Sequence, residues 1–286
     1  MNPIITQMIA AHVAITPNDK KNVIKEVLQE VILSGLSRAG FFKTAAFYGG
    51  TALRIFHGLD RFSEDLDFSL KVEDSSFNLE QYLPLLEKEI RSYGFNFSIE
   101  TKQKTHDSNI QSAFLKVNTK EHILKIFPNA DVASSISANE LLKIKFEIDT
   151  NPPSYAGFEI KFHLLPIPYE VTLYDLPSLF AGKIHALLCR GWINRVKGRD
   201  LYDYVFYLTK GISVNIEHLS ARLAQSNQIP AGKVISIDEL KIMLRNRFMK
   251  IDYEQAKSDV LSYIKDPRPL DVWGSEFFIQ ITDMLK

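Results

Sequence analysis

The stretch Phe47-Tyr48-Gly49-Gly50-Thr51-Ala52-Leu53, with the run Arg61-Phe62-Ser63-Glu64-Asp65-Leu66-Asp67-Phe68 behind it, constrains the fold more than any other part of the chain. An apolar strand ends in two glycines, a short helix is predicted from Thr51, and a second strand carries two acids separated by one apolar residue. Strand side chains two apart point the same way. Asp65 and Asp67 are therefore expected on one face, with Leu66 and Phe68 turned to the core. Two carboxylates on one rigid face suit a hard cation such as Mg²⁺, which keeps water and takes further oxygens from phosphates. Paired glycines let the backbone approach a ligand with no Cβ in the way, and the N–H groups that open a helix favour an anion.

These residues resemble the minimal nucleotidyltransferases of the AbiEii/AbiGii toxin family, within the DNA polymerase β-like superfamily. In that family a G-[GS]-[ST] element opens the nucleotide site and a D-x-D element holds two Mg²⁺. Gly49-Gly50-Thr51 and Asp65/Asp67 stand at those positions, and Arg61-x-Ser63-x-Asp65-x-Asp67-Phe68 is similar to this branch in particular. The resemblance implies a third metal-binding acid on a neighbouring strand. Lys143-Ile144-Lys145-Phe146-Glu147-Ile148-Asp149 offers two on one face, Glu147 favoured by its apolar neighbours and Asp149 beside it. Ser63 is expected to touch phosphate or to orient Asp65 or Asp67, since no His-Asp arrangement makes it a nucleophile.

Two elements farther along enter through the same resemblance. Lys183, in Leu179-Phe180-Ala181-Gly182-Lys183-Ile184, matches a helical lysine that binds the triphosphate as a mobile point charge; alone, such a lysine reads as snorkelling surface. Lys197-Gly198-Arg199-Asp200-Leu201-Tyr202-Asp203 is similar to a K-x-R-D-x-x-D element whose first Asp, here Asp200, is an active-site residue. Spacing by itself gives Arg199 and Asp203 only a surface salt bridge, while Arg199 and Lys197 also suit phosphate or an RNA backbone. The activity so implied is transfer of a nucleoside monophosphate from an NTP, with two Mg²⁺ (Mn²⁺ as substitute), to an acceptor. RNA, foremost a tRNA 3′ end, is the expected acceptor, with a protein hydroxyl as the alternative. The resemblance further implies a toxin of a toxin–antitoxin, abortive-infection system with a cognate antitoxin. A regulator that binds Mg·NTP without turnover would use the same acids.

Composition sets bounds without identifying the chemistry. The chain has 286 residues, 45% of them hydrophobic, enough for a sizeable core. Its 34 basic and 34 acidic residues cancel, so any RNA must be held by a local patch. The single cysteine, Cys189, excludes an internal disulfide and fits a reducing cytoplasm. No apolar run reaches the roughly twenty residues of a membrane span, and the amino terminus lacks a signal-like core. A cytoplasmic protein with no membrane contact is expected.

The expected fold class is α+β: a nucleotidyltransferase-like mixed sheet flanked by helices over residues 1–170, then a helical lobe over 171–286 that contributes Lys183 and Asp200. Thr16-Pro17-Asn18-Asp19 predicts a capping box with proline at the first helical position, and Ile24, Val27, Leu28, Val31 and Ile32 a buried stripe. Asn78-x-x-Gln81 predicts a capped helix that Pro84 kinks slightly and Gly94 closes. Strands are predicted at Phe95–Glu100, Ala113–Val117, Leu141–Asp149 and Phe158–Leu164, and helices at Ser178–Arg190, Arg199–Lys210 and after a Ser236-x-x-Glu239 capping box. His57 and His185 lack metal-ligand spacing. Trp192, Tyr202, Tyr204 and Tyr207 are expected to pack helices.

Overall fold

The computed structural model describes residues 2–102, 109–118, 121, 139–191 and 196–286. Among these, seven strands form one mixed sheet: β1 (Ala45–Tyr48), β2 (Leu66–Leu70), β3 (Phe97–Lys102), β4 (Ile110–Asn118), β5 (Leu141–Asp149), β6 (Phe158–His163) and β7 (Tyr169–Tyr174). Their order is β3-β4-β5-β2-β1-β7-β6. β2 is antiparallel to β1 and parallel to β5, and β1 is parallel to β7. The chain divides into two compact units. One comprises Met1–Thr51, Glu64–Pro152 and Ile160–Leu173, and the other Ala52–Ser63, Pro153–Glu159 and Tyr174–Lys286.

The first, strand-bearing unit holds the helices α1 (Pro3–Ala10), α2 (Pro17–Arg38) and α4 (Leu83–Ser92). α2 opens with the expected capping box: Thr16 Oγ1 accepts from the Asp19 amide at 3.1 Å, and Asp19 Oδ2 accepts from the Thr16 amide at 2.8 Å. The stripe Ile24, Val27, Leu28, Val31 and Ile32 is buried as predicted. At Gly35 an added Cβ would come within 2.9 Å of Leu86 Cδ1, so a glycine sets how closely α2 and α4 pack. The core beneath the sheet is aromatic. Phe68 lies 4.7 Å from Phe146, 5.0 Å from Phe47 and 5.1 Å from Phe41, ring centre to ring centre. The predicted kink at Pro84 is replaced by a break. Asn78 caps a 3₁₀ turn, Leu79–Tyr82, and α4 starts at Leu83 with the proline in its first turn, where its missing N–H costs nothing.

One side chain in this unit makes stability depend on pH. Burial, with Glu26 nearby, pushes the Glu30 carboxyl up from 4.5 to about 8. Between those values the folded chain keeps a proton that the unfolded chain has released, so stability falls as pH rises through that window. The melting temperature is expected to drop between pH 6 and 8, and Glu30→Gln to flatten that drop in a thermal melt at several pH values.

The second unit is helical: α5 (Leu176–Cys189), α6 (Gly198–Thr209), α7 (Ile216–Gln225), α8 (Ile237–Phe248), α9 (Tyr253–Leu261) and α10 (Ser275–Ile281). The predicted capping box at Ser236 and Glu239 forms with both bonds in place. Phe180 stacks on Tyr207 at 4.4 Å, and Tyr204 packs on Phe248 at 5.4 Å, so these tyrosines do pack helices. Trp192 lies outside the described residues. A Cβ at Gly198 would overlap the Ala256 carbonyl oxygen, which ties the start of α6 closely to α9. α3 (Gly49–His57) contains the division between the units, after Thr51. Its second half belongs with the helices because Arg54 donates to the Leu59 and Asp60 carbonyls and the Phe62 amide to the Tyr263 carbonyl. No helix among the described residues is long and apolar enough to cross a membrane.

Candidate active site

In the strand-bearing unit the acids are organised by strand register. β2 and β5 pair in parallel with Asp67 opposite Glu147 and Ser69 opposite Asp149. Directly opposed residues share a face, so Asp67 and Glu147 form a facing pair of carboxylates from adjacent strands. Leu66 and Phe68, on either side of Asp67, and Phe146 and Ile148, on either side of Glu147, are buried. Asp149 sits one step farther along the ladder, where its Oδ1 accepts from the Asn151 amide at 3.0 Å in the turn that ends β5. Glu147 is held in place by Lys145 Nζ at 2.7 Å and by Ser112 Oγ at 3.4 Å, across from it on β4.

The structure changes the expected placement of two neighbours. Asp65 lies just before β2 and not within it, and it is exposed. Its carbonyl is taken out of any ladder by Thr51, whose hydroxyl donates to it at 2.5 Å. Thr51 is fully buried, and its hydroxyl fixes the turn into β2. α2 fixes the preceding residue: Lys25 Nζ lies 2.8 Å from Glu64 Oε1, and Gln29 Nε2 donates to the Glu64 carbonyl at 2.9 Å. The helix itself begins at Gly49, two residues earlier than predicted.

Gly49 is required twice over. Its φ is +84°, and a Cβ there would stand 2.5 Å from Asp67 Oδ2. The backbone at the start of α3 therefore lies flat against the Asp67 carboxylate. Gly49→Ala is expected to cost about 1–3 kcal/mol in chemical unfolding and to displace Asp67, so that activity falls further than the stability loss explains. Activity and unfolding measured on the same preparation check this.

The helical unit contains a buried ionic cluster. Lys183 Nζ, on α5, is 2.8 Å from Asp200 Oδ1 and 2.8 Å from Asp203 Oδ2, both on α6. Asp203 in turn receives a bidentate bond from Arg61, Nε to Oδ1 and Nη2 to Oδ2, each 2.6 Å. Arg190, at the end of α5, closes on Asp200 Oδ2. Asp203 is 0% exposed and Arg61 3%, while Lys183 keeps 15% and Arg190 42% of its side chain exposed. Burial alone would raise both carboxyls. Lys183 with Arg190 at Asp200, and Arg61 with Lys183 at Asp203, hold them below the ordinary carboxylate range instead. The cluster is thus ionised: three cations, two anions, and a surplus of positive charge.

Arg199 does not form the predicted surface bridge with Asp203, because Asp203 points into the cluster. Its guanidinium covers the Tyr263 ring at 4.1 Å and lies 4.0 Å from Asp259, tying α6 to α9. Ser63 is buried. Sequence reasoning gives Arg61 no partner and gives Asp203 the wrong one; the two pair with each other across 142 residues, which no local spacing records. His57 Nε2 lies 3.4 Å from Glu159, and His185 Nε2 lies 2.9 Å from Ser226 Oγ. Burial pushes the Cys189 thiol up, which keeps it protonated.

Among the described residues no three acids or imidazoles converge into a ready-made metal cage. Mg²⁺ does not need one. It is commonly held by one or two carboxylates plus substrate phosphates and water, and the facing pair Asp67 and Glu147 fits that donor set.

Comparison with other proteins adds four findings. The family profile described as "Nucleotidyl transferase AbiEii toxin, Type IV TA system" matches residues 31–277. The crystal structure of JHP933 from Helicobacter pylori is similar at a TM-score of 0.51 and 18% identity, covering 92% of this chain and 90% of that one. The nucleotidyltransferase toxin MenT4 from Mycobacterium tuberculosis has a TM-score of 0.48 and 14% identity, covering 100% of this chain and 99% of that one. No curated protein sequence matches significantly.

Proposed function

Starting from the fact that the chain belongs to the AbiEii family of nucleotidyltransferase toxins, we propose that it transfers a nucleoside monophosphate from an NTP to RNA, with a tRNA 3′ end as acceptor, in a Mg²⁺-dependent reaction. The observation that carries this reading is the register of β2 on β5, which sets Asp67 against Glu147. Those two residues, with Asp65 at the mouth of β2, would hold Mg²⁺; Asp149 serves the turn. When bound, the metal lowers the pKa of the acceptor hydroxyl and neutralises charge on the leaving pyrophosphate.

The protein's own groups do the rest. The opening N–H groups of α3, which starts at Gly49-Gly50, would meet a phosphate. Asp200 and Asp203 fix the Lys183 ammonium in one place, so that its charge is oriented before a triphosphate arrives. Arg61 neutralises Asp203 and leaves Lys183 with charge to offer. The protein is read as a cytoplasmic toxin restrained by a cognate antitoxin, in keeping with a type IV system.

The test incubates purified protein with Mg²⁺, each α-³²P-labelled NTP in turn and total cellular RNA. Label in RNA names the nucleotide and the size class of the acceptor. Label in protein alone moves the acceptor to a protein hydroxyl. No label, with Mg²⁺-dependent thermal stabilisation by NTP, overturns transfer in favour of a nucleotide-binding regulator.

A further inference from the structure

β6 stands last in the strand order and carries a row of uncovered apolar side chains. Phe158, Ile160 and Phe162 are 40%, 61% and 72% exposed, and Leu164, just beyond the strand, is 71% exposed. Alternation places them on one face. Long apolar edges are what natural sheets usually blunt, because they template pairing with another chain. Here the sequence of the edge says which chain. Phe158-Glu159-Ile160-Lys161-Phe162 reads the same from either end with the charges exchanged: Phe, acid, Ile, base, Phe.

We propose that two copies of this chain pair through β6, antiparallel about a two-fold axis at Ile160. In that register Ile160 meets Ile160 of the partner subunit, Phe158 meets Phe162 of the partner subunit, and Glu159 meets Lys161 of the partner subunit, the last two contacts each occurring twice. Aromatic and opposite-charge pairs directly across an antiparallel ladder are favourable, and like charges are not. Other registers lose this. Centring on Lys161 opposes two lysines, centring on Glu159 opposes two glutamates, and a shift of one residue sets apolar faces against charged ones. The contact is isologous, so it closes at a dimer and leaves no β6 edge to propagate. Glu159 keeps 33% of its side chain exposed and lies 3.4 Å from His57.

The test is analytical ultracentrifugation of the full chain over a wide concentration range. The wild type is expected to dimerise reversibly. Lys161→Glu and Glu159→Lys should each weaken the dimer roughly tenfold. An equimolar mixture of these two variants should form a heterodimer, and the double exchange should restore the homodimer, because acid and base again face each other. A wild type that is monomeric throughout, or a dimer that neither single exchange weakens, overturns the proposal. Hydrogen exchange on the wild type gives a check free of folding effects. Protection of β6 amides that grows with concentration is expected; β6 protection independent of concentration in a dimer places the contact elsewhere and overturns it.

Discussion

Asp67→Ala is expected to lower nucleotidyl transfer on the order of 10³-fold, the upper range for removing one charge-stabilising group, while leaving the unfolding midpoint nearly unchanged. The asymmetry follows from where Asp67 stands. Its neighbours Leu66 and Phe68 carry the packing, and they point to the opposite face of β2. Removing the carboxylate also removes a repulsion with Glu147 across the ladder, which on its own would stabilise slightly. Labelled transfer and a urea titration on the same protein check both halves. A variant retaining more than a tenth of wild-type turnover would mean that Asp67 does not hold the metal.

Arg61→Ala has the opposite profile, a large loss of stability. Asp203 is 0% exposed and takes two of its bonds from Arg61. Truncating the arginine leaves that carboxylate buried with Lys183 as its remaining partner, and breaking a buried pair from one side costs about 3–5 kcal/mol. Urea unfolding should show the midpoint falling with an unchanged slope. Arg61→Lys should recover only part, because a lysine cannot reproduce the two-pronged bond. The cluster also predicts acid sensitivity. Asp200 and Asp203 are held below the ordinary carboxylate range, so their contribution is complete above that range and is lost as pH falls through their folded-state values.

Much of this could be read from the residues in order. The alternation of Leu142, Ile144, Phe146 and Ile148 against Lys143, Lys145, Glu147 and Asp149 marked both β5 and its wet face, and the observed strand has the predicted ends. The capping boxes at Thr16 and Ser236 were legible because each bond is local in sequence. What was not legible is mostly long-range. β7 alternates clearly, but it lies at the expected lobe boundary near residue 170, where the sequence reading places no strand. Asp65 was placed on the strand because periodicity cannot see Thr51, fourteen residues away, claiming its carbonyl. Arg199 and Asp203 were paired by helical spacing, whereas Arg61, 142 residues from Asp203, is the partner the fold supplies. Which of Glu147 and Asp149 faces Asp67 depends on register between strands nearly eighty residues apart, and no local pattern records it.

The flat approach of Gly49 to Asp67 has a consequence for which side chain position 67 can carry. Backbone on one side and a carboxylate on the other leave a gap with no adjustable part, so position 67 is gauged for length as well as charge. A glutamate there keeps the acid yet carries one methylene more than the gap accommodates. Chemistry that tolerates either acid in solution is here confined to aspartate by a neighbour that has no side chain at all.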